Sequence, residues 1–300
     1  MTSLPSESRS ITMMLVSVLL FAVNTLIIRG LSAHVPEANG WVASFFRGAV
    51  GVVIVVMFFG FGRGLQLKHL FTRPLLAFRG LLGGLGILAF YITVVHLGAG
   101  RAVIINLSYP MFGSLFAALW LKEHLQIRSW LWMIAGFVGL VVFLGSDFEK
   151  GINGYDFLAV GGAITAGGVI TVIRQLRNSE HSATIYASQC VASFLFAAIP
   201  AAAPTATLSM EALGIMILAA IIVAIAQLAM TASYRTLSVA RGSSIQMLLP
   251  LPTAVGGWWF FGESFTPLGL AGALLTLVAT WRVVAGKARS PRLASVSHSA

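Results

Sequence analysis

Long apolar stretches separated by short polar breaks run through almost the whole chain. Each stretch is apolar on all sides and close to the roughly 20 residues that a helix needs to cross a bilayer, whereas the strands of a membrane barrel would alternate over about ten residues. The pattern therefore predicts an all-α, polytopic membrane protein of ten transmembrane helices. The ten stretches are Ile11 to Leu31, Trp41 to Gly60, Leu75 to Leu97, Ala102 to Leu121, Trp130 to Gly145, Phe157 to Ile173, Ala183 to Pro200, Leu213 to Tyr234, Ser243 to Phe261 and Leu268 to Val284.

Composition agrees with this interpretation, because 58% of the residues are hydrophobic and only 9% are charged, against about 25% charged residues in an average soluble domain. Ten spans and their connections use nearly all 300 residues, which leaves no room for a soluble catalytic domain. Cys190 is the only cysteine, so disulfides within the chain are excluded. The sequence also lacks a Walker A motif and an H-E-x-x-H metal motif, and we expect no ATP hydrolysis, no metal and no cofactor.

The net charge of +10 would suggest nucleic acid in a soluble protein, but in a membrane protein basic residues usually mark cytoplasmic loops. We therefore expect no nucleic-acid partner, only the lipid bilayer and a small-molecule substrate. With both termini placed in the cytoplasm, every Lys and Arg, Arg79 included, falls on the cytoplasmic side except Arg29, Arg47, Arg101 and Lys150. This bias predicts a multi-pass protein of the cytoplasmic (inner or plasma) membrane with both termini inside.

The two halves of the sequence repeat each other. Three residues around the fourth span recur around the ninth at one offset of 140 residues, and the same offset aligns Asn106 with Gln246. The three recurring pairs are Arg101 with Arg241, Pro110 with Pro250, and Glu123 with Glu263. An offset of 145 pairs Arg29 with Arg174, but the residues that would echo Arg47 are Gln189, Cys190 and Val191. The arginine of the second span is therefore not duplicated.

Five spans per repeat is an odd number, which forces the second copy to cross the membrane upside down relative to the first. Inverted repeats are typical of secondary transporters, whose halves rock about a midplane site that opens alternately to each side. The predicted organisation is a cytoplasmic tail (1–10), a first five-helix repeat (11–145), an extracytoplasmic linker (146–156), a second five-helix repeat (157–284) and a basic cytoplasmic tail (285–300).

In each half a proline, Pro110 or Pro250, is followed thirteen residues later by a glutamate, Glu123 or Glu263. In this duplicated motif and its ten-span layout the sequence resembles the drug/metabolite transporter (DMT) superfamily, specifically its EamA-type members, over about residues 11–284. Arg47 also falls where that family often carries an arginine. The resemblance implies export or exchange of small metabolites, commonly amino acids. Within the superfamily we compare the chain with the YddG-type amino-acid exporters, although none of these motifs is specific to them.

Polar side chains inside the predicted spans are the candidates for substrate binding, because each needs a partner in a medium without water. No Asp or Glu lies near the centre of a span, so a cavity lined by these side chains suits a zwitterion or a polar neutral solute better than a bare cation. The candidates for substrate binding are Asn24, Arg47, Tyr91, Asn106, Tyr109, Gln227, Ser244 and Gln246.

Asn106 and Gln246 are the strongest of these candidates, because they are mirror partners about one turn before a proline that frees backbone carbonyls. The alternative is that both amides make hydrogen bonds between helices and touch no substrate. The Tyr91 or Tyr109 ring could stack on a substrate side chain or simply pack. The Arg47 guanidinium could clamp a carboxylate, or extend to the outer headgroups.

Four charges next to the duplicated spans are candidates for gating. The topology places Glu123 and Arg241 together at the cytoplasmic face, and Arg101 and Glu263 together at the outer face. We therefore predict two ion-pair gates, Glu123 with Arg241 and Arg101 with Glu263, that alternate during transport. The alternative is four independent charges at the membrane interfaces.

Together these features predict a secondary transporter, not an enzyme, that exports small polar metabolites, most of all amino acids, by alternating access. Other metabolites or drugs, for example nucleobases and sugars, are alternative substrates. An intramembrane enzyme would need a nucleophile with a base or a carboxylate pair at membrane depth, and the sequence offers neither. A receptor or scaffold that binds without transporting is a further alternative.

Overall fold

The computed structural model describes residues 6–60, 62–97, 99–124, 126–144, 152–262 and 264–286. Within these ranges the backbone forms helices and no strands. The helices are α1 (Glu7–His34), α2 (Gly40–Phe59), α3 (Leu67–Thr72), α4 (Pro74–Leu97), α5 (Ala99–Asn106), α6 (Tyr109–Trp120), α7 (Ile127–Leu144), α8 (Gly154–Leu176), α9 (Ser182–Ala206), α10 (Met210–Ser233), α11 (Val239–Gln246), α12 (Pro250–Phe261) and α13 (Pro267–Ala285).

The all-α, polytopic membrane architecture is confirmed. Eight helical segments in the described chain are long and apolar enough to cross a membrane: α1, α2, 102–120, α7, α8, α9, α10 and α13. The third predicted span is α4, and the ninth is the pair α11 and α12. The predicted tails and linker fall largely outside the described ranges, but Glu7 to Ser10 of the first tail already belong to α1, which Ser6 caps.

The fourth and ninth predicted spans are each broken into two helices. α5 ends at Asn106 and α6 begins at Tyr109, while α11 ends at Gln246 and α12 begins at Pro250. Proline has no N–H to donate and clashes with the preceding turn, which explains a break just before each proline. α11 begins at Val239, four residues before the predicted start of the ninth span, because the Ser238 hydroxyl caps its first turn. The short helix α3 was not predicted.

Corresponding helices of the two halves pack in matched pairs. α2 packs on α9 and α7 packs on α13, while the contact of α1 with α10 is repeated by that of α4 with α8. Glycine allows the closest approaches, because a Cβ at Gly48 would lie only 2.6 Å from the Phe194 backbone nitrogen. Small residues bring membrane helices into backbone contact, where dispersion and weak hydrogen bonds replace the hydrophobic effect.

The paired helices run antiparallel. Along α2, Gly48 approaches Phe194 and Gly51 approaches Tyr186, so the numbers on α9 fall as those on α2 rise. In the same way Gly139 of α7 lies against Thr276 of α13. Because α2 and α9 are the second spans of their halves, and α7 and α13 the last, corresponding helices point in opposite directions. An inverted repeat requires this relation, and its boundaries stay a prediction.

The first and last described helices meet at one face of the bundle. Arg241 at the start of α11 forms an ion pair with Glu7 of α1 and donates to the carbonyl oxygens of Val284 (2.6 Å) and Gly286 (2.5 Å) at the end of α13. We call this side the terminal face. That this face is cytoplasmic remains a prediction.

The half of the bundle next to the terminal face is filled by a core of apolar side chains. Met14, Leu76, Ile173, Ile185 and Tyr234 belong to this core and are fully buried, and they come from α1, α4, α8, α9 and the end of α10. A second core lies nearer the opposite face and joins only α1, α2, α9 and α10. An apolar cavity of about 620 Å³ opens there between α1, α10 and α12. A second cavity of about 670 Å³ lies at the terminal face, between the start of α7 and the end of α13. Next to it, the first core closes the bundle between α1, α4, α8, α9 and α10.

Candidate functional site

The two amides at the helix breaks, Asn106 and Gln246, have different surroundings. The buried Gln246 amide nitrogen lies 3.1 Å from the Met14 sulfur and 3.4 Å from the Ser17 hydroxyl oxygen, which ties α11 to α1. The Asn106 side chain is half-buried and makes no hydrogen bond within the part of the chain that the structure describes. Gln246 thus makes the interhelical contact of the alternative interpretation, whereas the Asn106 amide makes no such contact among the described residues.

Two further candidates lie on either side of these breaks. Ser244 is buried in α11, and its hydroxyl has no hydrogen-bond partner among the described residues. Tyr109 begins α6 and packs against the buried Leu107, Leu140 and Met247. The side chain of Tyr91 lies outside the described part of the chain. The Tyr109 ring therefore packs within the bundle, as the alternative interpretation has it.

Asn24 joins α1 to α10 instead of facing a cavity alone. Its side-chain amide donates to the Ala219 carbonyl oxygen at 2.9 Å, and the side chain is half-buried. Ala219 lies on the stretch of α10 that leads to Gln227. The contact is one of the interhelical hydrogen bonds that stabilise membrane helix pairs by roughly 0.6 to 2 kcal/mol.

Arg47 and Gln227, both predicted from the sequence, are brought together. Arg47 is the eighth residue of α2, and its Nη2 atom donates to the Gln227 Oε1 atom of α10 at 2.8 Å. The Arg47 side chain therefore points into the bundle and does not extend to the headgroups. The Arg47 Nε atom is buried and has no hydrogen-bond partner among the described residues.

Arg79, which was not among the predicted site residues, makes a similar contact with a glutamine of α9. The Arg79 Nη2 atom donates to the Gln189 Oε1 atom of α9 at 2.8 Å. The side chain is 1% exposed, and its Nε and Nη1 atoms have no partner within the described chain. Arg79 was predicted only as a charge on the cytoplasmic side of the third span, and the structure places it about 8 Å inside α4 at 1.5 Å per residue.

Arg47, Arg79, Gln189 and Gln227 form what we call the two-arginine cluster. Gly48, next to Arg47 in α2, packs against the Cys190 carbonyl oxygen, and Cys190 follows Gln189, the partner of Arg79. The two like charges are therefore close enough to repel each other. Both arginines come from the first half of the chain and both glutamines from the second. The cluster therefore lies between the halves, where transporters of this architecture bind substrate.

The predicted gate between Glu123 and Arg241 is not formed in this structure. The Glu123 Oε1 atom accepts from Arg174 Nε at 3.1 Å, and its Oε2 atom accepts from the Val239 backbone N–H at 3.0 Å. Arg241 is held instead by Glu7 and by carbonyl groups at the end of α13. Glu123 lies beside the start of α11, as the topology predicted, but its ion-pair partner is Arg174 at the end of α8. Glu263 and the side chain of Arg101 lie outside the described residues.

Comparisons with known proteins agree with this arrangement. The model of the EamA-like transporter family matches twice, at residues 8–145 and 153–285. The pseudopaline exporter CntI of Pseudomonas aeruginosa is 26% identical over 271 residues, which cover 86% of this chain and 90% of that exporter. A riboflavin transporter of Rhizobium johnstonii is 28% identical over 229 residues, which cover 75% of this chain and 72% of the other.

More distant matches extend the likeness. Human solute carrier family 35 member G1 is 24% identical over 177 residues, which cover 55% of this chain and 47% of the carrier. A protein of known crystal structure that is 16% identical covers 94% of this chain and 97% of its own, with a TM-score of 0.73. That structure shares the fold, and at such low identity the likeness extends to the fold alone.

Proposed function

The chain belongs to the EamA-like transporter family, and we propose that it exports small polar metabolites, amino acids foremost, by alternating access about a site between its two halves. The family and the similar proteins are transporters, not enzymes. The pseudopaline exporter, which this chain resembles over 90% of that protein's length, supports the outward direction. The riboflavin transporter supports a small organic substrate.

The observation that carries the proposal is the pair of broken spans. α5 ends at Asn106 and α11 ends at Gln246, at equivalent positions of the two halves. Broken helices expose carbonyl and amide groups within the membrane only where these groups face protein or a water-filled cavity. Half-helix ends at such breaks are the usual substrate ligands of transporters with inverted repeats.

The closed terminal half supports alternating access. The core around Ile173, Ile185 and Tyr234 and the Glu123–Arg174 ion pair close the bundle on this side. Transport then requires these contacts to separate while equivalent contacts form at the opposite face. Such an exchange is possible because each half has the same helix order in the opposite orientation.

The test is uptake of a radiolabelled amino-acid panel into proteoliposomes that hold the purified full chain, with and without a pH gradient. We expect protein-dependent flux of at least one member. Asn106→Ala should reduce that flux about tenfold, the effect of losing roughly 1.4 kcal/mol of substrate binding. Thr25→Ala is the matched control, because the exposed Thr25 hydroxyl only bonds the Phe21 carbonyl of its own helix.

Each outcome separates the alternatives. Absence of flux across the panel would contradict amino-acid transport, and nucleobases, sugars and drugs would be assayed next. Saturable binding without flux of any of these solutes would indicate a receptor or scaffold. A pH gradient that drives accumulation would indicate proton coupling, and equal flux in both conditions would indicate a facilitator or exchanger.

A further inference from the structure

Two guanidinium groups of the two-arginine cluster lie inside the membrane-spanning bundle, and neither has an acidic partner among the residues that the structure describes. Each has one neutral hydrogen-bond acceptor, Gln227 for Arg47 and Gln189 for Arg79. A guanidinium has five N–H donors and stays charged at any physiological pH. The buried Nε atoms of both arginines and the Nη1 atom of Arg79 have no partner among the described residues. The cluster therefore carries two positive charges and unused donors.

The acidic side chains that the structure describes cannot neutralise this charge, because they are engaged elsewhere or lie at the ends of other helices. Glu123 binds Arg174, and Glu180 binds His69 of α3 and Arg73 just after it, at the terminal face. The others are Glu7, which binds Arg241, Asp156 in the first turn of α8, Glu37 before α2 and Glu211 in the first turn of α10.

Burying the Arg79 charge beside the half-buried Arg47 is unfavourable. The effective penalty for taking one ion out of water is several kcal/mol, and a neutral amide acceptor offsets only part of it. Repulsion between Arg47 and Arg79 adds to the cost. Ionisable groups kept inside a membrane bundle at such a cost mark substrate sites by default. The missing partner is therefore an anion that is not part of the described chain.

We propose that Arg47 and Arg79 bind the carboxylate groups of a substrate that carries at least two of them, an inference that rests on the proposed transport function and names its substrate class. Arginine donates two parallel hydrogen bonds to a carboxylate, and such charge-assisted bonds are about twice as strong as neutral ones. Gln189 and Gln227 orient the two guanidinium planes through their 2.8 Å contacts.

The balance of charge selects a dianion over a zwitterion. One carboxylate would neutralise only one of the two arginines, whereas two carboxylates bring the cluster to zero net charge in a medium of low dielectric constant. The ammonium group of a neutral amino acid would be repelled by both arginines. A dicarboxylate is therefore favoured most. An acidic amino acid, whose second carboxylate partly offsets its ammonium group, comes next, ahead of a neutral amino acid.

The position of the cluster fits a transported anion. Leu76 and Ile185 of the closed core lie about one turn from Arg79 and Gln189 toward the terminal face, and both are fully buried. The cluster thus lies deeper in the bundle than this core, on the side away from the terminal face. Because its arginines and glutamines belong to different halves of the chain, rocking of the halves changes the contacts that a bound anion would make.

The test measures ligand binding to the purified full chain in lipid nanodiscs by thermal unfolding, at matched ionic strength. The probes are malonate, succinate, glutarate and adipate, each compared with its own uncharged diamide. We expect at least one dicarboxylate to bind about tenfold more tightly than its diamide and to raise the unfolding temperature accordingly. If no dicarboxylate exceeds its diamide, the proposal is overturned whatever the variants do.

Variants then locate the site. Arg79→Met and Arg47→Met should each abolish the dicarboxylate-specific shift, and Arg79→Met should unfold at the same or a higher temperature without ligand, because an unpaired buried charge is gone. The exposed Arg63 gives the matched control, Arg63→Met, which should keep the full shift. A shift retained in both cluster variants overturns the site.

Failure of the inference is distinguishable from failure of the transport function. Flux in proteoliposomes together with equal binding of dicarboxylates and diamides contradicts the two-arginine site and leaves transport intact. Dicarboxylate-specific binding that the cluster variants lose, without flux of any solute, contradicts transport and supports the site.

Discussion

Glu123 and Arg174 connect the two halves of the chain through a 3.1 Å contact between the Glu123 Oε1 and Arg174 Nε atoms. Glu123 also accepts the Val239 N–H at the start of α11, and Arg174 donates to the carbonyl oxygens of Tyr234 and Arg235 after α10. The acidic group thus satisfies a helix N-terminus and the basic group a helix C-terminus, as the macrodipole favours. Four helices meet at this one ion pair.

The first prediction concerns this pair. Glu123→Gln and Arg174→Gln should destabilise the protein non-additively, with a coupling energy of about 1 kcal/mol, because the pair is mostly buried and charge-assisted. The measurement is a double-mutant cycle of unfolding free energies in mixed micelles. As the matched control, Glu123→Gln and Arg241→Gln should be additive within about 0.5 kcal/mol. Additivity in the first cycle, or coupling in the second, would show that the pairing is misassigned.

The second prediction concerns the contact between α7 and α13. A Cβ at Gly139 would lie 2.6 Å from the Thr276 hydroxyl oxygen and 2.7 Å from the Gly272 carbonyl oxygen. Gly139→Ala must therefore push two backbones apart, and we expect a loss of about 1 to 3 kcal/mol of stability. Gly214→Ala in α10 is the matched control, because nothing lies within 4 Å of its Cβ position.

Reversible unfolding of the two glycine variants, followed by circular dichroism, measures this difference. Gly214→Ala should be neutral or stabilise the protein by up to about 1 kcal/mol, since alanine favours a helix over glycine. Equal stability of the two variants would mean that α7 and α13 do not touch at Gly139.

The third prediction concerns acid. Burial, and then repulsion by Arg177 and Arg235, hold the pKa of the His181 imidazole below its usual value of 6.5. The Nδ1 atom of His181 also accepts the Ala183 N–H at 3.2 Å, which caps α9 and requires an unprotonated Nδ1. The unfolded chain therefore binds this proton more readily than the folded one. Stability should fall as the pH drops below about 6.5 and level off below the lowered pKa of the folded state.

The comparison of wild type with His181→Asn isolates this effect, because asparagine can cap the helix and does not titrate. The difference in unfolding temperature between the two should shift in favour of the variant between about pH 6.5 and 5, and stay constant above pH 7.5. Parallel pH profiles for the two proteins would contradict the role of His181.

The fourth prediction separates the two amides at the helix breaks. Gln246→Ala should lower stability by about 1 to 2 kcal/mol, because the buried Gln246 amide contacts Met14 and Ser17. Asn106→Ala should leave stability within about 0.5 kcal/mol of wild type, because its half-buried side chain makes no hydrogen bond within the described chain. The measurement is the free energy of unfolding of each single variant, compared with wild type under the same conditions. A larger loss for Asn106→Ala would reverse the assignment.

The fold was largely predictable, because the length and hydropathy of each apolar stretch and the effect of a proline on its own helix depend on the local sequence. The prolines were predicted to free backbone carbonyls, and the breaks before Pro110 and Pro250 follow from the missing N–H of proline, although the two spans were predicted as continuous. The start of α11 was placed too late, because the polar segment Ser238 to Ser243 is helical without being apolar. Its burial comes from tertiary packing, which hydropathy does not measure.

The site was less predictable because its partners are far apart in the sequence. Arg47 and Gln227 were both predicted, but their contact spans 180 positions and no spacing reveals it. Arg79 was predicted only as a charge of the cytoplasmic side, because its burial and its contact with Gln189 depend on packing against α9. Likewise the repeat aligned Arg174 with Arg29, yet gave no sign that Arg174 would bind Glu123.

The packing of α2 on α9 has a consequence for how such a chain can be encoded. Two identical five-helix polypeptides inserted in opposite directions could also form this antiparallel contact, but each would bring its own Arg47 and Arg79, and four guanidiniums would crowd one interface. Joining the halves in one polypeptide removes that symmetry. One half then supplies the arginines and the other supplies Gln189 and Gln227 to receive them. A single gene can thus hold a charge arrangement that a symmetric dimer could not.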